Sequence, residues 1–261
     1  MNNLQFEILS DKLLPEFCLN VPEKSLSKFN QLEESEITLG DFSFYTSVSA
    51  VFSSKIEGEN IELDSYVKHK RFGIEYLPDY TKKIDDLYNA YLFAKQSDCN
   101  HGNIEIIHKM LTKHILPESK QGKVRNGNMY VTTVDGKIEY VAAQPLIVQI
   151  ELLKFYNDLQ KLRNATLSVQ EVFYYAAFLH LVFAKIHPFD DGNGRTSRLI
   201  EKWFLAEKLG EKAWFIQSEK NYYLQHQKYY QNIRLLGMEY EYLDYSKASP
   251  FLNMLPMSLS I

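Results

Sequence analysis

The sequence predicts an all-α fold carrying a single β-hairpin. Three observations point there. Apolar residues recur at three- and four-residue steps over several segments, the spacing of one helical face. Only one stretch, between Gly122 and Val141, reads as β-prone. Prolines and glycines punctuate the chain at intervals that suit helices joined by short loops.

Taken in order, residues 1 to 35 read as irregular, because Pro15 and Pro22 interrupt any long helix. A helix follows from about Asp41 to Ile56, with Phe42, Tyr45, Ser49, Phe52 and Ile56 at helical spacing. Gly58 stops it. Further helices read from Leu63 to Arg71, from Asp79 to Gln96 and from Asn103 to His114. The hairpin pairs Met129 to Val134 with Ile138 to Val141 around an Asp135-Gly136 turn. After Pro145 helices run to about Leu162, then from Ser168 to Ile186. His187-Pro188 ends that run, since a residue before proline leaves the helical region. New helices cover Asn193 to about Leu209 and Glu219 to Leu235. The tail after Asp244, with Pro250 and Pro256, reads as short and extended.

Composition narrows the classes. The 261 residues suit one large domain, or one domain with an appended helical unit. Hydrophobic content of 45% and charged content of 24% are those of an ordinary soluble protein. A net charge of -4 gives no whole-chain basic field for nucleic acid. No apolar stretch reaches the ~20 residues needed to span a bilayer, and Met1-Asn2-Asn3-Leu4 does not begin a signal peptide. Neither a nucleic-acid nor a membrane partner is expected. Cys18 and Cys99 form no close pair, which suits reduced thiols in a cytoplasmic protein. The 18 Tyr and 16 Phe predict an aromatic-rich core. Tyr222, Tyr223, Tyr229 and Tyr230 belong there or at an interface. His69, His101, His108 and His114 read as surface or packing residues.

Chemistry concentrates in His187-Pro188-Phe189-Asp190-Asp191-Gly192-Asn193-Gly194-Arg195-Thr196-Ser197-Arg198. His187, at a helix end, is a candidate proton acceptor. Asp191 is an oxygen ligand of the kind Mg²⁺ prefers. Gly192-Asn193-Gly194 lets backbone approach a ligand at a helix start, where free N–H groups favour anions. Arg195 and Arg198 share a helix face and can pair with phosphate oxygens. Phe189 anchors the loop in the core. A base, a metal carboxylate, an anion hole and two arginines together describe nucleotidyl or phosphoryl transfer. The Gly-Lys-Ser/Thr ending of a Walker loop is absent.

This run resembles the Fic family signature, His-x-Phe-x-Asp/Glu-Gly-Asn-Gly-Arg-x-x-Arg, without a departure. The likeness extends from about Phe42 to Leu236, with Ile107-His108 upstream of the hairpin and Gly122-Lys123-Val124-Arg125 opening a flap. It implies a Fic-type helical bundle with one β-hairpin flap and an N-terminal helical extension. Three parts are expected: residues 1–100 with the inhibitory helix at about 41–58, a core over 101–210 with the flap at about 122–141, and a C-terminal extension over 211–261. The implied activity is transfer of AMP from ATP to a Tyr, Thr or Ser hydroxyl of a target protein. His187 would be the base. Asp191 would bind Mg²⁺, Asn193 with the Gly192 and Gly194 amides would hold phosphate oxygens, and Arg195 and Arg198 would hold the β- and γ-phosphates.

Two further elements follow from the resemblance. The edge Asn128, Met129, Tyr130, Val131, Thr132, Thr133 would take up the target segment as an added strand. Ser53-x-x-x-Glu57-Gly58 matches the inhibitory motif Ser/Thr-x-x-x-Glu-Gly/Asn, so Glu57 would occupy Arg198 and misplace ATP. In some relatives this Glu also helps remove AMP, and self-modification and homodimers occur. The alternatives are a Fic-like transferase of another phosphate-containing group, and a non-catalytic protein-binding module. Gly194 argues against the first, and an intact His187 and Asp191 against the second. The roughly 50 residues after Leu209 do not resemble the winged helix that many relatives carry.

Overall fold

Residues 172–184 are apolar or aromatic on all sides apart from His180, and a helix of that kind is stable only when surrounded. In the computed structural model, which describes residues 4–38, 40, 42–132 and 138–260, this segment lies in the central helix. Helices are numbered here in chain order, so it is α8 (Val169–Ile186), and every residue from Val172 to Ile186 is buried. By length and composition α8 could cross a bilayer, but 83% of that window is buried inside the protein. Ser168 and Glu171 close a reciprocal capping box at its start. α7 (Val148–Asn164) and α9 (Asn193–Leu209) pack against it, while α3 (Phe44–Ile56), α5 (Pro78–Lys95) and α6 (His101–Leu111) pack on α9 and α4 (Leu63–Phe72) packs on α3. α9 packs along α8, and α3 lies between α5 and α10 (Ser218–Leu224).

Helix placement follows the sequence expectation through the middle of the chain and departs from it at three places. The first is the N-terminus, where α1 (Leu14–Asn20) and α2 (Glu23–Asn30) replace the expected irregular segment. Pro15 lies in the first turn of α1, and Pro22 immediately precedes α2. At both positions the missing N–H has no helical partner to lose, so the prolines start helices instead of breaking them. Phe17 packs edge-on to Tyr174 and Phe29 edge-on to Phe173. The second is Glu219 to Leu235, which breaks at Gln225 into α10 and α11 (His226–Arg234). The third is the tail, which forms α12 (Ser249–Leu252) and α13 (Met254–Met257). Phe251, Leu252, Met254 and Leu255 are fully buried there, and that burial outweighs the extended bias of the prolines. The start of α3 is set by Ser43, whose side chain accepts from the Thr46 amide; Asp41 lies outside the described residues.

The hairpin pairs β1 (Tyr130–Thr132) with β2 (Ile138–Val141), Tyr130 opposite Val141 and Val131 opposite Tyr140. The expected Asp135-Gly136 turn, with Thr133 and Val134, lies outside the described residues. The far edge of β2 is taken at its end, because Val141 donates to the Met238 carbonyl at 2.7 Å and bridges to Glu239. Among the described residues that leaves β1 as the edge with unpaired backbone. One hydrophobic cluster runs from Leu9 to Leu259, so the three expected parts share a single core.

Asp158 ties the N-terminus to this core. Its carboxylate is fully buried and accepts from the amides of Glu7, Ile8 and Leu9 at 2.8–3.0 Å. Asp158→Ala should cost about 3 kcal/mol, the scale of losing several charge-assisted hydrogen bonds, and should speed amide exchange in α1. Urea unfolding and hydrogen exchange test this; an unchanged midpoint with protected α1 amides would exclude the anchoring role.

Candidate active site

The loop joining α8 to α9 is built from contacts that leave it little freedom. His187 sits in the left-handed region at φ 51°, uncommon for a residue with a side chain. Arg125 holds it there: the Arg125 Nε donates to the His187 carbonyl at 2.7 Å, and the Arg125 amide to the Pro188 carbonyl at 2.9 Å. The buried guanidinium also reaches the carbonyls of Gly127 and Ala143. Phe189 is buried, as expected, and stacks on His108 at 3.6 Å.

Of the two readings for His108, surface or packing, the buried one holds, and the residue pins the loop. Its Nδ1 accepts from the Gly122 amide at 2.9 Å, which assigns the proton to Nε2. Nε2 then donates to the Asp191 carbonyl at 2.9 Å. Burial pushes the imidazole pKa down to about 4, so this neutral form persists. Gly192, at φ 78°, completes the turn, and a Cβ there would lie 2.6 Å from Thr112 Cγ2. The Asn193 side chain, expected to help hold phosphate, is engaged within the loop. Its amide donates to the Phe189 carbonyl and its oxygen accepts from the Phe189 amide, so it braces the loop.

His187 is oriented from the flap side. The Tyr140 hydroxyl, on β2, donates to the Ala184 carbonyl at 2.8 Å and lies 2.9 Å from His187 Nδ1. A phenol has one hydrogen, and Ala184 takes it. The bonding pattern therefore assigns the imidazole proton to Nδ1, leaving Nε2 as the free acceptor. Burial pushes the His187 pKa down to about 4, against the pull of the Ala184 carbonyl, with Arg125 lowering it further. The ring is thus neutral at neutral pH, with Nε2 unprotonated. Tyr140 was invisible to motif reasoning, since only its place on β2 brings it to the histidine.

Opposite the loop lies the turn that follows α3. Glu57 Oε1 accepts from Arg198 Nη2 at 2.6 Å. Ser53 holds the same guanidinium, its hydroxyl accepting from Nε at 2.9 Å and its carbonyl from Nη2 at 3.0 Å. The helical spacing of Ser53 and Glu57 puts both on one face. Burial raises the Glu57 pKa, but the charges of Arg198 and Arg195 outweigh it and hold the carboxyl below its ordinary value. A Cβ at Gly194 would lie 2.5 Å from Glu57 Oε1, so the carboxylate occupies the ground directly above the loop. Gly58, at φ 96°, turns the chain so that Glu59, which carries no motif, also reaches the loop. Its two oxygens each lie 2.7 Å from Arg195 Nη2.

A cavity of about 1180 Å³ opens beside Glu57, between Gly58, Val131, Thr132, Tyr223, His226 and Tyr230. Asp191 is 53% exposed, with one oxygen accepting from the Gly192 amide. Among the described residues no group of three potential metal ligands assembles. A single open carboxylate beside an anion hole fits Mg²⁺, which keeps its waters and takes further oxygens from phosphates. Asn128 to Thr132 lie on the β1 side of the flap, where the strand-addition edge was expected.

The Fic/DOC family model matches residues 98–205. Among solved structures, a Fic family protein from Desulfovibrio desulfuricans superposes with a TM-score of 0.74 at 17% identity, over 98% of this chain and 74% of that one. A Fic-domain signalling protein from Bacteroides thetaiotaomicron gives 0.65 at 16% identity, over 95% and 93%. Fic-1 from C. elegans, residues 134–508 with E274G, gives 0.67 at 17% identity, over 94% and 69%. At these identities the likeness is one of fold. No curated protein matches the sequence.

The depressed pKa of His187 has a readable consequence. An ordinary histidine protonates near 6.5, so the unfolded chain gains this proton first. The stability contributed by the neutral ring is complete above about 6.5 and is lost as pH falls towards about 4. The His187 ring resonances, followed by NMR, should stay at neutral-form shifts from pH 8 to about 5.5. A midpoint near 6.5 would contradict the burial argument.

Proposed function

Since residues 98–205 of this chain are a Fic/DOC family domain, we propose that the protein is a self-inhibited adenylyltransferase that moves AMP from ATP to a protein hydroxyl. The observation that carries the reading is the 2.6 Å bond from Arg198 to Glu57 above Gly194. A carboxylate held on a guanidinium at a helix N-terminus occupies the position a terminal phosphate would take.

In this reading the ATP phosphates lie over the Gly192 and Gly194 amides, with Arg195 and Arg198 pairing with the outer phosphates. Asp191 would hold Mg²⁺, which when bound offsets phosphate charge. The target segment extends β1 by backbone pairing, bringing a Tyr, Thr or Ser hydroxyl towards His187. His187 Nε2 takes the hydroxyl proton. The oxygen attacks the α-phosphorus, the bond to the bridging oxygen breaks, and pyrophosphate leaves with the electron pair. Tyr140 and the Ala184 carbonyl hold the Nδ1 proton of the resulting imidazolium, whose new proton is on Nε2. The cavity lined by Tyr223, His226 and Tyr230 is the reading's place for the nucleoside. Glu57 inhibits by denying the last phosphate its arginine. The α-phosphorus is then out of line, a misplacement that costs about 100-fold in rate.

Incubation with ATP and Mg²⁺, read by intact-protein mass, tests the reading. Glu57→Gly should gain AMP at least about 100-fold faster than wild type, and adding His187→Ala to it should abolish the gain. Equal rates in wild type and Glu57→Gly would remove the inhibitory role. Retained transfer without the imidazole would remove the base.

A further inference from the structure

The two arginines of the loop are held differently, and the difference assigns a role to Glu59. Arg198 is engaged along its whole edge: Ser53 at Nε and Nη2, Glu57 at Nη2, and the Tyr229 hydroxyl 3.4 Å from Nη1. Arg195 is gripped at one corner only. Both Glu59 oxygens converge on its Nη2 at 2.7 Å. Its Nε is buried with no hydrogen-bond partner among the described residues, and its Nη1 stands 4.0 Å from Asp191 Oδ1, beyond hydrogen-bond reach. A buried donor left without an acceptor points to a ligand that supplies one.

The two carboxylates also differ in freedom. The Glu57 side chain is 25% exposed and can swing outward. The Glu59 side chain is 6% exposed and faces Lys83 of α5, 3.5 Å away, as well as Arg195. Withdrawing it would strand the buried charge of Arg195, a change strongly opposed by desolvation. Glu59 therefore stays where it is whether or not Glu57 leaves.

We propose that Glu59 is a positioning residue for Arg195. It pulls the guanidinium to the side away from Asp191, which keeps two sites open at once. Asp191 remains free for a divalent cation, and the Nε and Nη1 edge of Arg195 remains free for a phosphate. Without Glu59, the nearest carboxylate to the buried guanidinium is Asp191. Closing the present 4.0 Å separation would turn this loose ion pair into a hydrogen-bonded one that consumes both the cation ligand and the anion ligand. Glu57 and Glu59, two residues apart on one turn, thus act in opposite senses: the first blocks its arginine and the second keeps its arginine available. This rests on the nucleotide-binding reading of the loop.

The test uses full-length protein carrying Glu57→Gly and His187→Ala, so that Arg198 is free and nucleotide is not consumed. ATP affinity is measured by calorimetry with Mg²⁺ and with chelator, in this parent and after adding Glu59→Ala, Glu59→Gln or Arg195→Ala. Glu59→Ala should weaken Mg²⁺–ATP binding at least about 10-fold and flatten the ratio between the two conditions, a readout that a general loss of stability would leave alone. Glu59→Gln, which keeps an acceptor for Nη2, should lose less. If Arg195→Ala weakens binding while Glu59→Ala and Glu59→Gln bind as the parent does or more tightly, Glu59 does not position Arg195. If Glu59→Ala fails to fold, Glu59→Gln decides alone: a weakened affinity with a reduced Mg²⁺ ratio supports the proposal, and parental values overturn it. A parent that binds no ATP, or an Arg195→Ala variant that binds as tightly, sinks the nucleotide reading itself and the role of Glu59 with it.

Discussion

Burying a guanidinium is costly unless its donors are satisfied, and Arg198, 1% exposed, recruits partners from distant parts of the chain. Ser53 and Glu57 come from α3, Tyr229 from α11. The requirement explains why the N-terminal region shares a core with the signature loop. Without α3, Arg198 would lose the Ser53 and Glu57 acceptors that now satisfy it. Burial alone would lower its pKa, but the Glu57 carboxylate and the Tyr229 oxygen raise it above the ordinary value, so the charge is permanent.

The surroundings of Arg198 are polar and closed. Tyr229 also meets His180 Nε2 at 2.9 Å. His180 Nδ1 meets Glu201 at 2.7 Å, and Glu201 accepts from Tyr222. On the adjoining face of α9, Lys202 reaches Glu219 and Ser49, while Tyr91 donates to Glu219. In a medium of low dielectric such bonds reinforce one another and fix side-chain directions. The aromatic residues expected in the core do appear there, yet several do more than fill volume. Tyr222, Tyr229 and Tyr140 each spend a hydroxyl on a charged group or on the candidate base.

How much was legible in the sequence follows from what each feature depends on. α9 was placed at both ends, because the Gly-Asn-Gly start and Gly210 are local signals. Ser53, Glu57 and Arg198 were legible as a set through motif spacing, and the structure joins them. The N-terminal helices and the helical tail were missed because their stability lies in contacts far along the chain, such as Phe17 on Tyr174 and Asp158 on residues 7–9. Tertiary burial overrides local proline bias in such cases. The bracing role of the Asn193 side chain was not legible for a different reason: a polar residue in a Gly-rich loop reads as a ligand, and only the fold puts both its ends on Phe189. Tyr140 and Glu59 carried no readable signal, and Arg125 was legible only as part of the flap's opening, since each acts on the loop only through the folded chain.

On the proposed reading, the Glu57 contact with Arg198 and a phosphate contact with the same guanidinium would be chemically alike, and that would set the scale of the switch. Removing one partner of a buried ion pair outright costs about 3–5 kcal/mol, because the other charge is left stranded. An arriving phosphate does not strand Arg198. It replaces one anion with another on the same nitrogen, while Ser53 continues to hold Nε. The cost of release is then the difference between two similar contacts plus the reordering of Glu57, whose side chain already borders solvent. A difference of about 3 kcal/mol corresponds to roughly 100-fold in occupancy, which is the size of a useful block and small enough to reverse. Contacts that shift the α3 turn by a fraction of its packing energy can therefore set the balance, and the buried Glu59–Arg195 pair keeps that turn attached to the loop while they do so.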